Sequence, residues 1–116
     1  MAGGGLQKYT VQEVSNASIG QGGAMFLDTA TAIVAPAGKV FVAITFLDNT
    51  NLDATGGLIA EDSDKWPNTE EAATAGGGTG GTEIDNSNTF PKGLTIYGRW
   101  TEIDISGGGS LIAYIG

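Results

Sequence analysis

The chain has 116 residues, of which 41% are hydrophobic and only 16% are charged. This balance predicts one folded domain over residues 1–116 and excludes a disordered chain, which is typically rich in charge and poor in apolar residues. The net charge of −8 predicts no nucleic-acid binding, because an acidic surface repels a phosphate backbone. The sequence contains neither cysteine nor histidine, so it lacks thiolate metal ligands and the commonest general base. We therefore expect no enzymatic activity and no cofactor.

The N-terminal part of the chain predicts short strands separated by glycine-rich segments. Residues 1–5, MAGGG, are predicted to form a glycine-rich arm, and Leu6–Val14 is predicted as the first strand. Two further segments, Ala24–Asp28 and Ala30–Ala35, predict a short pair of strands that turns at residues 28 and 29. The start of the chain has no apolar run behind a positive end, so we expect no secretory signal.

The longest apolar tract predicts a central strand rather than a membrane span. It runs from Ala32 to Leu47 and is broken by Pro36 and Gly38, whereas a membrane helix needs about 20 uninterrupted apolar residues. Within it, Lys39–Asp48 is predicted as a strand that is apolar on both faces. We expect one face, with Val40, Val42, Ile44 and Phe46, to be core, and the opposite face to be covered by a second layer or by a neighbouring subunit.

The middle of the chain predicts one short strand and one long loop. Asp48–Asn51 is predicted as a polar turn and Gly57–Glu61 as a strand. Residues 62–82 combine acidic side chains with a run of glycines, and they predict a long acidic and glycine-rich loop. A loop of this length in a small domain is typical of a segment held by a partner, so we expect it, with the N-terminal arm, to lie over neighbouring subunits.

The C-terminal stretch predicts two strands with a glycine turn between them. Ile96, Gly98 and Trp100 share one face, but the next apolar residues are Ile103 and Ile105, so the alternation slips by one residue. The slip predicts a β-bulge or bend at Thr101–Glu102. After the turn at 106–109, the last strand covers Leu111–Ile115 and is again apolar on both faces, which places it in the centre of a sheet or against another chain.

These elements predict an all-β domain: a compact antiparallel β-sandwich or jelly-roll-like barrel of about eight short strands. Strands that are apolar on both faces favour a homo-oligomer, and a trimer is our first expectation.

The C-terminal stretch also carries a resemblance to a known class of protein. PKGLTIYGRWTEIDI (91–105), followed by GSLIAYIG (109–116), resembles the ending of small structural proteins in tailed bacteriophages, especially those of marine and cyanobacterial hosts. The resemblance covers residues 90–116 and extends more loosely to residues 36–47. It implies a virion protein.

The resemblance implies a capsid decoration or cement protein that stabilises the contacts between capsomers. Its partners would be the major capsid protein or other virion proteins, and its location would be the capsid surface after synthesis in the host cytoplasm. Two alternatives stay open: a tail, fibre or collar component, and a small carbohydrate-binding module in which Trp66 and an acidic turn hold a sugar.

Five residues are candidates for partner contacts. Trp66 lies in a loop beside a proline, and Arg99 is the only arginine, so it is expected to pair with Glu102, Asp104 or a neighbouring subunit. Trp100 is expected in the core. The complete set of interface candidates is Trp66, Tyr97, Arg99, Ile112 and Tyr114.

A calcium site is a weaker candidate at residues 48–53, where oxygen-bearing side chains follow one another. Asp48, Asn51 and Asp53 would supply the ligands. The segment lacks the glycine and the bidentate glutamate of an EF-hand loop and its flanks are strands, so we favour a turn between strands over a calcium site.

Overall fold

The computed structural model describes residues 22–116, so the predicted arm (1–5) and the predicted strand Leu6–Val14 lie outside the described residues. Within residues 22–116 the fold is all-β, with no helix and eight strands. This confirms the predicted fold class. The strands are β1 (Ala24–Leu27), β2 (Ile33–Val34), β3 (Phe41–Phe46), β4 (Thr50–Asn51), β5 (Leu58–Ala60), β6 (Thr89–Phe90), β7 (Thr95–Ile103) and β8 (Leu111–Ile115).

Six strands form one antiparallel sheet that curls almost into a closed barrel, and β4 and β6 form a separate pair. The order begins β1-β8-β3-β7, so β3 lies between the two strands of the C-terminal stretch. Trp100 pairs with both Phe41 of β3 and Ala60 of β5, which places β3 and β5 on opposite edges of β7. β8 pairs with β1 on one edge and β3 on the other, which confirms that the last strand is central.

The core lies on the concave side of this sheet and is built around Trp100. The Trp100 side chain is fully buried, as predicted, and its ring lies over Gly98: a Cβ added at residue 98 would approach the ring to 2.6 Å. Phe46 stacks on Phe90 with ring centroids 4.8 Å apart, which joins the six-stranded sheet to the β4–β6 pair. Side chains from five strands therefore close over one apolar centre.

The core face of β3 differs from the predicted one. Phe41 joins Ile44 and Phe46 in the core cluster, whereas Val40 and Val42 are buried outside it. The pairing of β3 with both neighbours shifts between Phe41 and Ala43. Strict alternation assigned Phe41 to the wrong face because a bulge shifts the side-chain phase by one residue. Residues 41–44 are all buried within the single chain, so their apolarity requires no subunit contact.

The predicted bulge in β7 is confirmed. Ile59 pairs with Glu102 and Ala60 with Trp100, so Thr101 is an extra residue opposite β5. Trp100 and Ile103 are both buried, while Thr101 and Glu102 between them are partly exposed. The bulge keeps the apolar residues on both sides of it in one core.

Two local predictions were wrong. Ala24–Asp28 and Ala30–Ala35 do not pair with each other, because β1 adds to β8 and β2 adds to β7. The predicted polar turn at Asp48–Asn51 contains the whole of β4, since Thr50 is fully buried and pairs with Phe90. Sequence reasoning also missed β6.

Candidate functional site

Three of the five predicted interface residues lie on the convex side of the sheet. Along β8, Leu111, Ala113 and Ile115 point into the core, so Ile112 and Tyr114 point outward. On β7, Tyr97 points outward and is 61% exposed. The pairing registers align these side chains in two rows across four strands. We call this surface the outer face; it consists of Ala24, Tyr114, Ala43 and Tyr97 in one row, and Phe26, Ile112, Thr45 and Thr95 in the other.

The outer face carries no charged side chain, although the chain has a net charge of −8. Phe26 is 59% exposed at one side of it and Tyr97 at the other. Between them the hydroxyl oxygens of Thr45 and Thr95 are hydrogen-bonded at 2.9 Å. Exposed aromatic residues are typical of protein-contact surfaces. The nearest charge along β7 is that of Arg99, which is paired with Glu61 beyond Tyr97.

Arg99 is held by a carboxylate of its own chain. Its Nε donates to Oε1 of Glu61 at 2.6 Å and its Nη2 donates to Oε2 at 3.3 Å. The hydrogen bond from Arg99 lowers the pKa of Glu61. The expectation of a partner nearby in sequence, Glu102 or Asp104, was wrong: the backbone N–H of Glu61 donates to the carbonyl of Arg99, so strand pairing brings the two side chains together.

Trp66 belongs to a segment that clamps the edge of β5 rather than to the outer face. Its side chain is half-buried and packs against the core cluster. Next to it, the carbonyl of Pro67 accepts a hydrogen bond of 2.8 Å from the Trp100 indole nitrogen. The side-chain oxygens of Asn68 and Thr69 accept hydrogen bonds from the backbone N–H groups of Ala60 and Leu58, at 2.8 and 3.1 Å.

The clamp at residues 66–69 was missed by sequence reasoning. Asn68 and Thr69 are buried polar residues. Their side chains accept hydrogen bonds from the backbone N–H groups at the edge of β5, which would otherwise need a neighbouring strand. The only signal in the sequence is the pair of short polar side chains directly after Trp66-Pro67. The first part of the predicted loop 62–82 is therefore held by its own domain. Beyond residue 69 the loop is mostly exposed.

An open groove of about 710 Å³ lies beside the N-terminal half of β7. One wall is the strand itself, at residues 95–97, and Trp100 also lines the groove. The opposite wall is formed by Pro67, residues 82–84, Asn88 and Phe90. Among the described residues Glu83 is the only charged one that lines it, and the remaining walls are largely apolar.

The three calcium candidates have separate structural roles. The Asp48 carboxylate accepts a hydrogen bond from the backbone N–H of Asn49. Asn51 donates to the carbonyl of Asn86 at 2.9 Å and accepts from the Thr89 hydroxyl at 3.1 Å, which ties β4 to β6. No group of three or more acidic side chains that could hold a metal ion is present in residues 22–116.

Asp53, the third candidate, interacts with another carboxyl group. Burial of Asp104, followed by its hydrogen bond and charge interaction with Asp53, raises the pKa of the Asp104 carboxyl. One oxygen of Asp104 is buried and has no hydrogen-bond partner among the described residues.

The geometry thus defines a small β-domain with two candidate interaction surfaces, the outer face and the groove. Comparison with protein-family models, curated proteins and solved structures yields no match. Across residues 22–116 there is no helix of the length and apolarity needed to cross a membrane.

Proposed function

We propose that this chain is a structural protein of a bacteriophage particle that decorates the capsid and stabilises contacts between capsomers. The observation that carries the proposal is the uncharged, aromatic outer face on an otherwise acidic chain. The resemblance of residues 91–105 and 109–116 to phage structural proteins supports the same role. In this proposal the outer face contacts the shell and the acidic surface faces solvent, which keeps particles from associating.

Burial of the outer face supplies the binding energy. Phe26 and Tyr97 are each more than half exposed, and covering either ring removes on the order of 100 Å² of surface from water, about 2–3 kcal/mol before the costs of association. One copy would therefore bind weakly. Many identical copies on one shell, each spanning neighbouring capsomers, would stabilise the particle through multivalency.

We further propose that the chain acts as a homotrimer. Strands that are apolar on both faces favour an oligomer. Because the shell covers Ile112 and Tyr114 on the outer face in this proposal, the copies would contact one another through other surfaces. Light scattering after gel filtration measures the mass directly. A mass of three chains supports the trimer; a mass of one chain contradicts it and leaves a monomeric decoration protein.

The decoration role is tested by adding the purified chain to capsids of its phage that lack it. We expect binding that saturates at a fixed number of copies per shell and raises the temperature at which the shell releases DNA. Binding to purified tails but not to capsids would favour a tail, fibre or collar component. Binding to neither would overturn the virion proposal.

A further inference from the structure

A second surface is the edge of β7 beside the groove, which shares Thr95 and Tyr97 with the outer face but does not depend on the proposed function. Along its C-terminal half β7 is paired on both edges: β5 covers one edge from Trp100 onward, and Glu61 extends this pairing to the carbonyl of Arg99. Along residues 95–97, β3 is the only strand among residues 22–116 that pairs with β7. The groove occupies the place where a further strand would continue the sheet.

The hydrogen-bonding pattern shows which backbone groups face the groove. The N–H of Phe46 donates to the carbonyl of Leu94 at 2.9 Å. In an antiparallel ladder the bonded positions alternate, so the next bonded pair is Ile44 and Ile96. The N–H and C=O groups of Thr95 and Tyr97 therefore point away from β3 and toward the groove. Within residues 22–116, no hydrogen bond reaches these four groups.

An open strand edge with an apolar groove beside it suits an extended peptide. A peptide strand laid along β7 would pair with Thr95 and Tyr97, and its alternate side chains would point toward Ile96, Phe90 and Trp100. The backbone bonds supply affinity, and the apolar wall selects the side chains at every second position.

The charge of the site specifies the partner further. Within residues 22–116, Glu83 is the only charged residue that lines the groove, and the chain as a whole carries a net charge of −8. Such a field attracts a cationic segment and repels an acidic one. We propose that the edge at Thr95–Tyr97 binds an extended peptide segment of a partner protein by strand addition, and that the segment alternates apolar residues with lysine or arginine.

The first experiment measures hydrogen exchange of backbone amides in the intact, isolated chain by NMR. We expect the amides of Thr95 and Tyr97 to exchange at least tenfold faster than that of Ile96, which donates to β3. Slow exchange at Thr95 and Tyr97 would show that the edge is already occupied by another part of the chain or by a second copy. That result would overturn the proposal.

The second experiment titrates the labelled chain with three capped heptapeptides that alternate valine with lysine, serine or glutamate. We expect the lysine peptide to shift and protect the amides of Thr95 and Tyr97 and to bind at least tenfold more tightly than the glutamate peptide. N-methylation of its edge-facing amides should abolish the protection. Glu83→Gln should reduce the preference for lysine over serine while leaving strand pairing intact.

Two outcomes of this titration would contradict the proposal. One is the absence of shifts at Thr95 and Tyr97 with all three peptides. The other is a set of shifts that maps to Phe26 and Ile112, because the peptides would then bind the outer face as non-specific apolar ligands.

Discussion

At the scale of single residues, the hydroxyl of Thr69 makes a hydrogen bond to the edge of β5 that a neighbouring strand would otherwise make. It accepts a hydrogen bond from the N–H of Leu58, and both residues are buried. Thr69→Val keeps the shape but leaves that N–H without a partner, and we expect a loss of about 1–3 kcal/mol in the free energy of unfolding. Urea denaturation measures it. Thr79→Val, in the exposed part of the loop, is the matched control and should have almost no effect; equal effects would contradict the role of Thr69.

The raised pKa of Asp104 predicts that the free energy of unfolding depends on pH. Its pKa is raised above the ordinary value of 3.8, chiefly by burial and then by Asp53. The folded state holds the proton more tightly than the unfolded state, so this contribution to stability is fully present below pH 3.8 and is lost as the pH rises through the folded-state pKa.

Asp104→Asn removes this titration and keeps a group that can donate to Asp53. We expect the variant to be more stable than the parent chain at pH 7 and the advantage to disappear on acidification below the ordinary aspartate value. Urea denaturation between pH 3.5 and 7 checks the sign. A variant that is less stable than the parent at pH 7 would contradict it.

At the scale of elements, the bulge in β7 predicts an unusual tolerance to deletion. Without Thr101, Glu102 would follow Trp100 directly, so Trp100 and Ile103 would keep facing the core and the pairing with β5 would become regular. We expect the deletion variant to unfold in a single cooperative urea transition, with reduced stability. Deletion of Ala113 is the control: β1 and β8 pair without a shift, so the change would turn Tyr114 inward and Ile115 outward. Loss of folding in both variants would contradict the account of the bulge.

Strand pattern alone predicted much of this architecture. β5, β8 and the bulge at Thr101 followed from alternation and from the slip in its phase. The core face of β3 was misassigned because its bulge arises from strands distant in sequence, and it leaves no slip in the local pattern. β4 and β6 have two residues each, too few for any period to appear.

The candidate surfaces were predictable only in part. Ile112 and Tyr114 were identified from a strand that is apolar on both faces, and Tyr97 as an aromatic contact candidate; the structure brings the three to one surface. The groove and the open edge at Thr95 and Tyr97 depend on where β5 stops pairing with β7, and no single segment contains that information. For the same reason, Glu61 could not be identified as the partner of Arg99.

At the scale of the whole molecule, the outer face predicts that binding and stability respond differently to mutation. Phe26 and Tyr97 are about 60% exposed, so replacing both with serine should change the free energy of unfolding by less than about 1 kcal/mol. The same change should weaken binding to capsids at least tenfold, or about 1.4 kcal/mol. Val34→Ser is the control, because Val34 is equally exposed but lies beside Glu102, beyond the outer face. Unchanged binding of the double variant would contradict a role for this face.

The most direct test of the decoration role is a cryo-electron microscopy map of the assembled particle, with this chain fitted into its density. We expect copies at the boundaries between capsomers, with Phe26, Tyr97 and Ile112 against the shell and the acidic surface toward solvent. A map in which the chain is absent from the capsid, or in which the outer face is open to solvent, would contradict it.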